Sequence, residues 1–194
     1  MSHYLQTDHG VTVTTAPRGT DELRRLYFAR FGFAAVWAGL FVFTASSLTP
    51  ISVALLVLYP LFDLAAAVLD FRASGATRPR GPLVVNMALS ALAAIALSVA
   101  VLSGVPDVLR VWGVWAITAG SVQVLVAIRR SRLGGQRVLV VSGGISVIAG
   151  SAFIVAAAGP DPSLAGLAGY ATLGGVFFLV SAVRLRRAAT TTQR

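Results

Sequence analysis

Two carboxylates are the residues with the most chemical potential. Asp63 and Asp70 stand seven residues apart in the otherwise apolar run Tyr59-Pro-Leu-Phe-Asp63-Leu-Ala-Ala-Ala-Val-Leu-Asp70-Phe-Arg72. Two helical turns separate them, so a helix puts both on one face. Asp70 is near the end of the run, where it reaches water or pairs with Arg72, Arg30 or Arg130. Asp63 is deeper, roughly 10 Å inside the apolar layer at the rise of a helix. An ionised carboxylate at that depth costs several kcal/mol (about 3 on insertion scales) unless it is paired, hydrated or protonated. Two readings follow. Asp63 is a functional group, the centre of a small transporter or a proton or ion pathway. Otherwise it is structural, bonded to Arg30, Asn86, Ser90 or Gln123. The candidate intramembrane polar site is thus Asp63, Asp70, Arg30, Asn86 and Gln123.

Other chemistry is poorly supported. The chain has no cysteine and no lysine, and its two histidines, His3 and His9, lie in a polar N-terminal segment with no third ligand nearby. That excludes thiolate sites and disulfides and makes a histidine metal site a poor reading. No glycine-rich loop runs into a phosphate-binding lysine, and the serines of the apolar runs have no base beside them. Asp107 and Asp161 follow prolines and read as turn formers. The chain is therefore expected to be non-enzymatic, with no cofactor and no bound metal.

The elements that must position these residues are membrane helices. Hydrophobic residues make up 56% of the 194 and charged residues 12%, against about a quarter charged in a soluble domain; mean hydropathy is +0.80. Six apolar runs of about 20 residues, each enough to cross a ~30 Å hydrocarbon layer, fall near 27–46, 51–71, 82–103, 108–128, 136–158 and 164–183. Thr20-Asp21-Glu22 is the expected start of the first helix. No apolar core lies close behind the first methionine, so no cleavable signal peptide is expected; the first span serves as the insertion signal.

The net charge is +9, carried by 16 arginines. Their positions point away from nucleic acid. Arg18, Arg24, Arg25 and Arg30 precede or open span one. Arg72, Arg78 and Arg80 lie between spans two and three. Arg129, Arg130, Arg132 and Arg137 lie between four and five, and Arg184, Arg186, Arg187 and Arg194 follow six. Only Arg110 falls on the other side. Short arginine-rich loops stay cytoplasmic, so both termini are expected inside, with the protein multi-pass in the inner (plasma) membrane.

The three inner boundaries divide the chain into three hairpins of about 55 residues, near 20–75, 76–133 and 134–187, between tails at 1–19 and 188–194. Asp63, Gly120 and Gly175 align, with Tyr59, Trp115 and Tyr170 four or five residues earlier and Arg72, Arg129 and Arg184 nine later. The expected fold is all-α: six transmembrane helices as three tandem helix-hairpin repeats, all in one orientation. Ala116 with Gly120, and Ala171 with Gly175, give small residues at four-residue spacing, the pattern of close helix packing in lipid. That packing is either inside one bundle or at a dimer interface. The expected partners are membrane lipids, with a homo-oligomer or another membrane protein also open.

The stretch Trp112-Gly-Val-Trp115-Ala-Ile-Thr-Ala-Gly120 with Gln123 and Arg129, the stretch from Gly169-Tyr170 to Arg184, and Gly143-Gly144-Ile-Ser-Val-Ile-Ala-Gly150 together resemble the small six-span bacterial membrane proteins of the HdeD type. The resemblance covers roughly residues 25–187. It implies the inner membrane and, for some members, a link to acid stress or envelope homeostasis. It brings no catalytic residues, and neither Asp63 nor the polar N-terminal tail is a feature that it matches.

Overall fold

The structure is a computed structural model that describes residues 18–73, 80–129 and 137–191. It contains six helices: α1 (Arg18–Val42), α2 (Pro50–Ala73), α3 (Arg80–Ala100), α4 (Val105–Arg129), α5 (Arg137–Ala157) and α6 (Ala165–Thr191). All six are long and apolar enough to cross a membrane. The expectation of an all-helical chain with six spans is met.

The ends differ in detail from the sequence reading, for local reasons. α1 begins at Arg18; Thr20 thus lies inside the first turn. α3 stops at Ala100 and α4 starts at Val105, because Gly104 takes φ of +104° between them, a conformation open to glycine and strained for other residues. Pro106 then occupies the first turn of α4, where its missing N–H is no loss. Asp107 is in that turn and pairs with Arg110, so it serves the helix start, not the preceding loop. α6 runs to Thr191, past the expected tail boundary at 187, through the good helix formers Arg186, Arg187 and Ala188.

At the start of α2 the cap is reciprocal. The Ser52 N–H donates to Thr49 Oγ1 (3.2 Å) and the Thr49 N–H to Ser52 Oγ (2.8 Å), with Pro50 as the first helical residue. Ser52 is fully buried, and its hydroxyl donates back to the Ser47 carbonyl at 2.8 Å, which closes the tight turn.

The helices form a ring. Among the described residues each helix backbone closely approaches only its two neighbours in chain order, and α1 closes the ring against α6. The closest pairs are α4 with α5, α1 with α6, and α2 with α3. These cross the boundaries of the expected hairpin repeats: the last helix of one unit packs most intimately on the first helix of the next.

The interior differs between the two ends. The half of the bundle with the tight turns is solid. Trp37, Phe41, Leu56, Leu97, Leu109, Trp112, Leu164 and Leu167 are all buried there to within 1%. Trp37 donates from Nε1 to the Leu55 carbonyl at 2.7 Å, and its ring packs against Phe41, Tyr59 and Trp112. The other half carries arginines at the helix ends, among them Arg72, Arg80, Arg137 and Arg184, and is hollow. Outside, Val36, Leu40, Phe43, Leu92, Ile95, Val99, Ile148 and Val155 are more than half exposed. A belt of that kind belongs in hydrocarbon, not water.

Candidate functional site

The hollow is a cavity of about 330 Å³. It extends from the aromatic layer of Tyr59, Trp115 and Tyr170 to the arginine-bearing helix ends, where Asp70, Pro82, Val138 and Ser181 line it. Asp63 sits on its wall.

The Asp63 carboxylate is held by three donors from two helices. Oδ1 accepts from Arg30 Nη1 of α1 at 2.7 Å. Oδ2 accepts from Asn86 Nδ2 at 2.8 Å and Ser90 Oγ at 2.7 Å, both on α3. Asn86 and Ser90 are four residues apart, one above the other on the same helix face, so a single turn of α3 supplies both bonds. Side-chain exposures of 12% for Arg30 and 20% for Asp63 make this a largely desolvated pair, whose attraction is much stronger than at a surface. The Arg30 guanidinium also lies over the Phe178 ring, 4.9 Å from its centroid, a cation–π contact from α6.

Of the residues expected at a polar site, Asp63, Arg30 and Asn86 meet directly. Ser90, weighed as a partner, completes the cluster. Gln123 lines the cavity from α4, and Asp70 lines it nearer the arginine-bearing end; the three bonds to the Asp63 carboxylate come from α1 and α3. Ser142, Ser146 and Tyr170 also line it and were not anticipated as site residues. Tyr170 donates its hydroxyl to Ser146 Oγ at 3.2 Å. A sequence signal for them exists: Arg30, Asn86 and Ser142 are spaced by 56 residues, and so are Ala34, Ser90 and Ser146. On the even helices the cavity residues four beyond Tyr59, Trp115 and Tyr170 are Asp63, Ala119 and Gly174. Spatially, then, the aromatics set the register, and Gly175 falls one residue beyond the cavity-lining position.

The small residues singled out for packing lie inside the bundle. Ala116 and Ala171 are buried. A Cβ on Gly120 would meet the Gly143 carbonyl oxygen at 2.6 Å, and one on Gly175 would meet the Ala34 Cβ at 3.1 Å. Gly113 faces the Gly150 carbonyl in the same way, at 2.6 Å. Close approach of α4 to α5 therefore rests on two facing glycine pairs. Gly113, Gly143 and Gly150 were not singled out from sequence, because a glycine's role depends on which helix lies opposite.

Among the described residues no three His, Cys, Asp or Glu side chains converge as a metal site. The fold defines a class: a multi-pass α-helical membrane protein with a cavity in one half, its lining mainly apolar with a polar cluster around Asp63. Compared with known proteins, the chain matches no family model, no curated protein and no solved structure.

Proposed function

We propose that this is a non-enzymatic membrane protein of the HdeD-like type, set in the inner membrane with both termini in the cytoplasm, and that it works by holding a small polar molecule in the cavity. On this reading it serves envelope or acid-stress homeostasis as a binding protein. The observation that carries the reading is where the polar groups go. Arg30, Asp63, Asp70, Asn86 and Gln123, charged and amide groups costly to leave in hydrocarbon, all line one cavity, together with the hydroxyls of Ser142 and Ser146. A purely structural role would need only the bonds that satisfy Asp63, not the amide and hydroxyls on the facing helices. Against a path through the whole membrane stands the aromatic layer beyond the cavity, where Trp37, Tyr59, Trp112 and Trp115 pack ring to ring.

The chain has no cysteine, so a single one can be introduced cleanly. Ser142→Cys should react with a membrane-impermeant maleimide in inverted membrane vesicles and stay unreactive in right-side-out ones. Ser103→Cys, in the turn at the other end, should show the opposite pattern. An unreactive Ser142→Cys alongside a reactive Ser103→Cys would sink the reading, because a receptacle must admit solvent.

A further inference from the structure

We infer that the cavity is built for a small oxyanion, a carboxylate or a phosphate, received by Arg30. This rests on the cavity being a binding site and adds the class of ligand.

The argument is one of donors against acceptors. A guanidinium has five N–H donors and no acceptor. Arg30 commits Nη1 to Asp63, and its face rests on Phe178; among the described residues its other donors have no protein acceptor. Asp63 is in the reverse position. Each of its oxygens already accepts a short bond, one from Arg30 and the other from both Asn86 and Ser90. A cation would have to compete with three donors for those oxygens. An oxyanion finds donors still open. Ser146 accepts from Tyr170, which leaves its own hydrogen available. The Gln123 amide and the Ser142 hydroxyl line the same cavity and add donors across from Arg30. Asp63 is then a positioning residue: it pins the guanidinium and leaves the remaining N–H groups facing the cavity.

Size agrees, and so does the charge around the helix ends; within the lining Arg30 stands beside its partner Asp63 and, nearer the arginine-bearing end, Asp70. The chain carries +9, and Arg72, Arg80, Arg137 and Arg184 lie at the helix ends on the hollow side of the bundle. A field of that sign concentrates anions there. The volume, about 330 Å³, is at the lower edge of the ~300–1,000 Å³ of small-molecule sites. An arginine with hydroxyl and amide donors matches the oxygens of carboxylate and phosphate alike. The oxyanion has two sources: a free small anion, or the phosphate of an anionic lipid whose tails stay in the bilayer.

The test is the thermal unfolding midpoint of the whole protein in a zwitterionic detergent at constant ionic strength. Sodium phosphate, sodium acetate, short-chain phosphatidylglycerol, short-chain phosphatidylcholine and choline are titrated separately. A ligand bound only by the folded state raises the midpoint with concentration. The expected result is a saturable rise with at least one of phosphate, acetate and phosphatidylglycerol, and none with choline or phosphatidylcholine. Phosphatidylglycerol acting alone identifies a lipid headgroup; phosphate or acetate acting identifies a free anion. The apparent affinity should fall at least tenfold in the Gln123→Leu, Ser142→Ala double variant and be lost in Arg30→Gln. Should Arg30→Gln fail to fold, the double variant carries the test, since it leaves the Asp63 cluster intact. Arg110→Gln, at the opposite end of the bundle, should bind as the wild type does. Saturable stabilisation by choline, equal anion effects in the wild type and the double variant, or no anion effect at all would overturn the oxyanion assignment. With Ser142→Cys still labelled, each of those results leaves the cavity reading standing, so the two can fail separately.

Discussion

A carboxylate in the hydrocarbon layer persists only where its charge is answered, and at Asp63 the answer comes from three donors on two helices. Removing one side of such a pair leaves the other desolvated and alone, which costs more than the pair itself contributes. Asp63→Ala and Arg30→Ala should each destabilise the protein. Their combination should be less harmful than the sum, with a coupling of about 1–3 kcal/mol, as for directly contacting groups. Asn86→Ala and Ser90→Ala should each cost about 1 kcal/mol, the loss of one hydrogen bond to a charged group that keeps other donors. Denaturant unfolding of the purified variants in detergent measures all of these; a coupling of zero would mean that the Arg30–Asp63 bond is not present in the folded protein. The sequence carried much of this cluster. The depth of Asp63 in an apolar run marks it as anomalous, and depth narrows its possible partners to a few polar residues on other helices. Depth alone could not choose among them. Arg30, Asn86 and Ser90 sit on α1 and α3, the helices that flank α2, whereas Gln123 is on α4, which does not closely approach α2. The hydroxyls of Ser142 and Ser146 look ordinary on their own, because a serine in a membrane helix satisfies itself cheaply; only the 56-residue spacing from Asn86 and Ser90 marks them.

Helix-to-helix distance is set by what stands between the backbones. Between α4 and α5 nothing does at two levels: Gly113 faces Gly150, and Gly120 faces Gly143. Lipid tails are as apolar as leucine, so association depends on such close contact. A single methyl is already too much there. A Cβ on Gly150 would come within 2.5 Å of the Gly113 carbonyl oxygen, and one on Gly120 within 2.6 Å of the Gly143 oxygen, and neither backbone can move without shifting its helix. Gly120→Ala and Gly150→Ala should therefore lower the unfolding midpoint. Gly39→Ala and Gly144→Ala, whose added Cβ meets nothing within 4 Å, should be neutral or stabilising, by up to about 1 kcal/mol from helix propensity. Equal effects at all four sites would show that α4 and α5 do not meet along this seam. In sequence these glycines are indistinguishable; the repeat pattern raises Gly120 and Gly175 above the rest, but only the ring order shows that Gly120 meets α5 and Gly175 meets α1. Helix number and type were readable from apolar length alone. The turn between α3 and α4 moved by a few residues because a local signal, Gly104, outweighed the hydropathy profile.

At the scale of the molecule the ring has a property that the linear repeat conceals. The three intimate pairs are α2 with α3, α4 with α5, and α6 with α1. The first two pairs are joined by the chain at the arginine-bearing end. The third is held by packing alone, through Gly175 against Ala34 and Phe31, Tyr27 against Phe178 and Arg30 over Phe178. α1 ascends from the arginine-bearing end and α6 descends to it, so the ends that would need joining lie on the same side. If the intimate pair is the unit of the fold, the covalent break between α6 and α1 is arbitrary and can be moved. A circular permutant that begins at Pro50 and ends at Ser47, with Arg194 joined to Met1 so that the native tails become the connection, makes all three pairs into hairpins. It opens the chain at the turn between α1 and α2, one of the looser contacts of the ring. The cost is the Thr49–Ser52 cap, about 1 kcal/mol. Such tolerance is usual where the opened site is an exposed turn and the joined ends are close. The permutant should insert, purify as a folded protein, and keep the maleimide reactivity of Ser142→Cys, since the cavity depends on the ring and not on where the chain starts. The same permutation opened between Arg130 and Gln136 and joined in the same way cuts an intimate pair instead, and should unfold at a lower temperature. A ranking in the opposite order would show that the hairpins of consecutive spans, and not the pairs across them, are the units that hold the ring together.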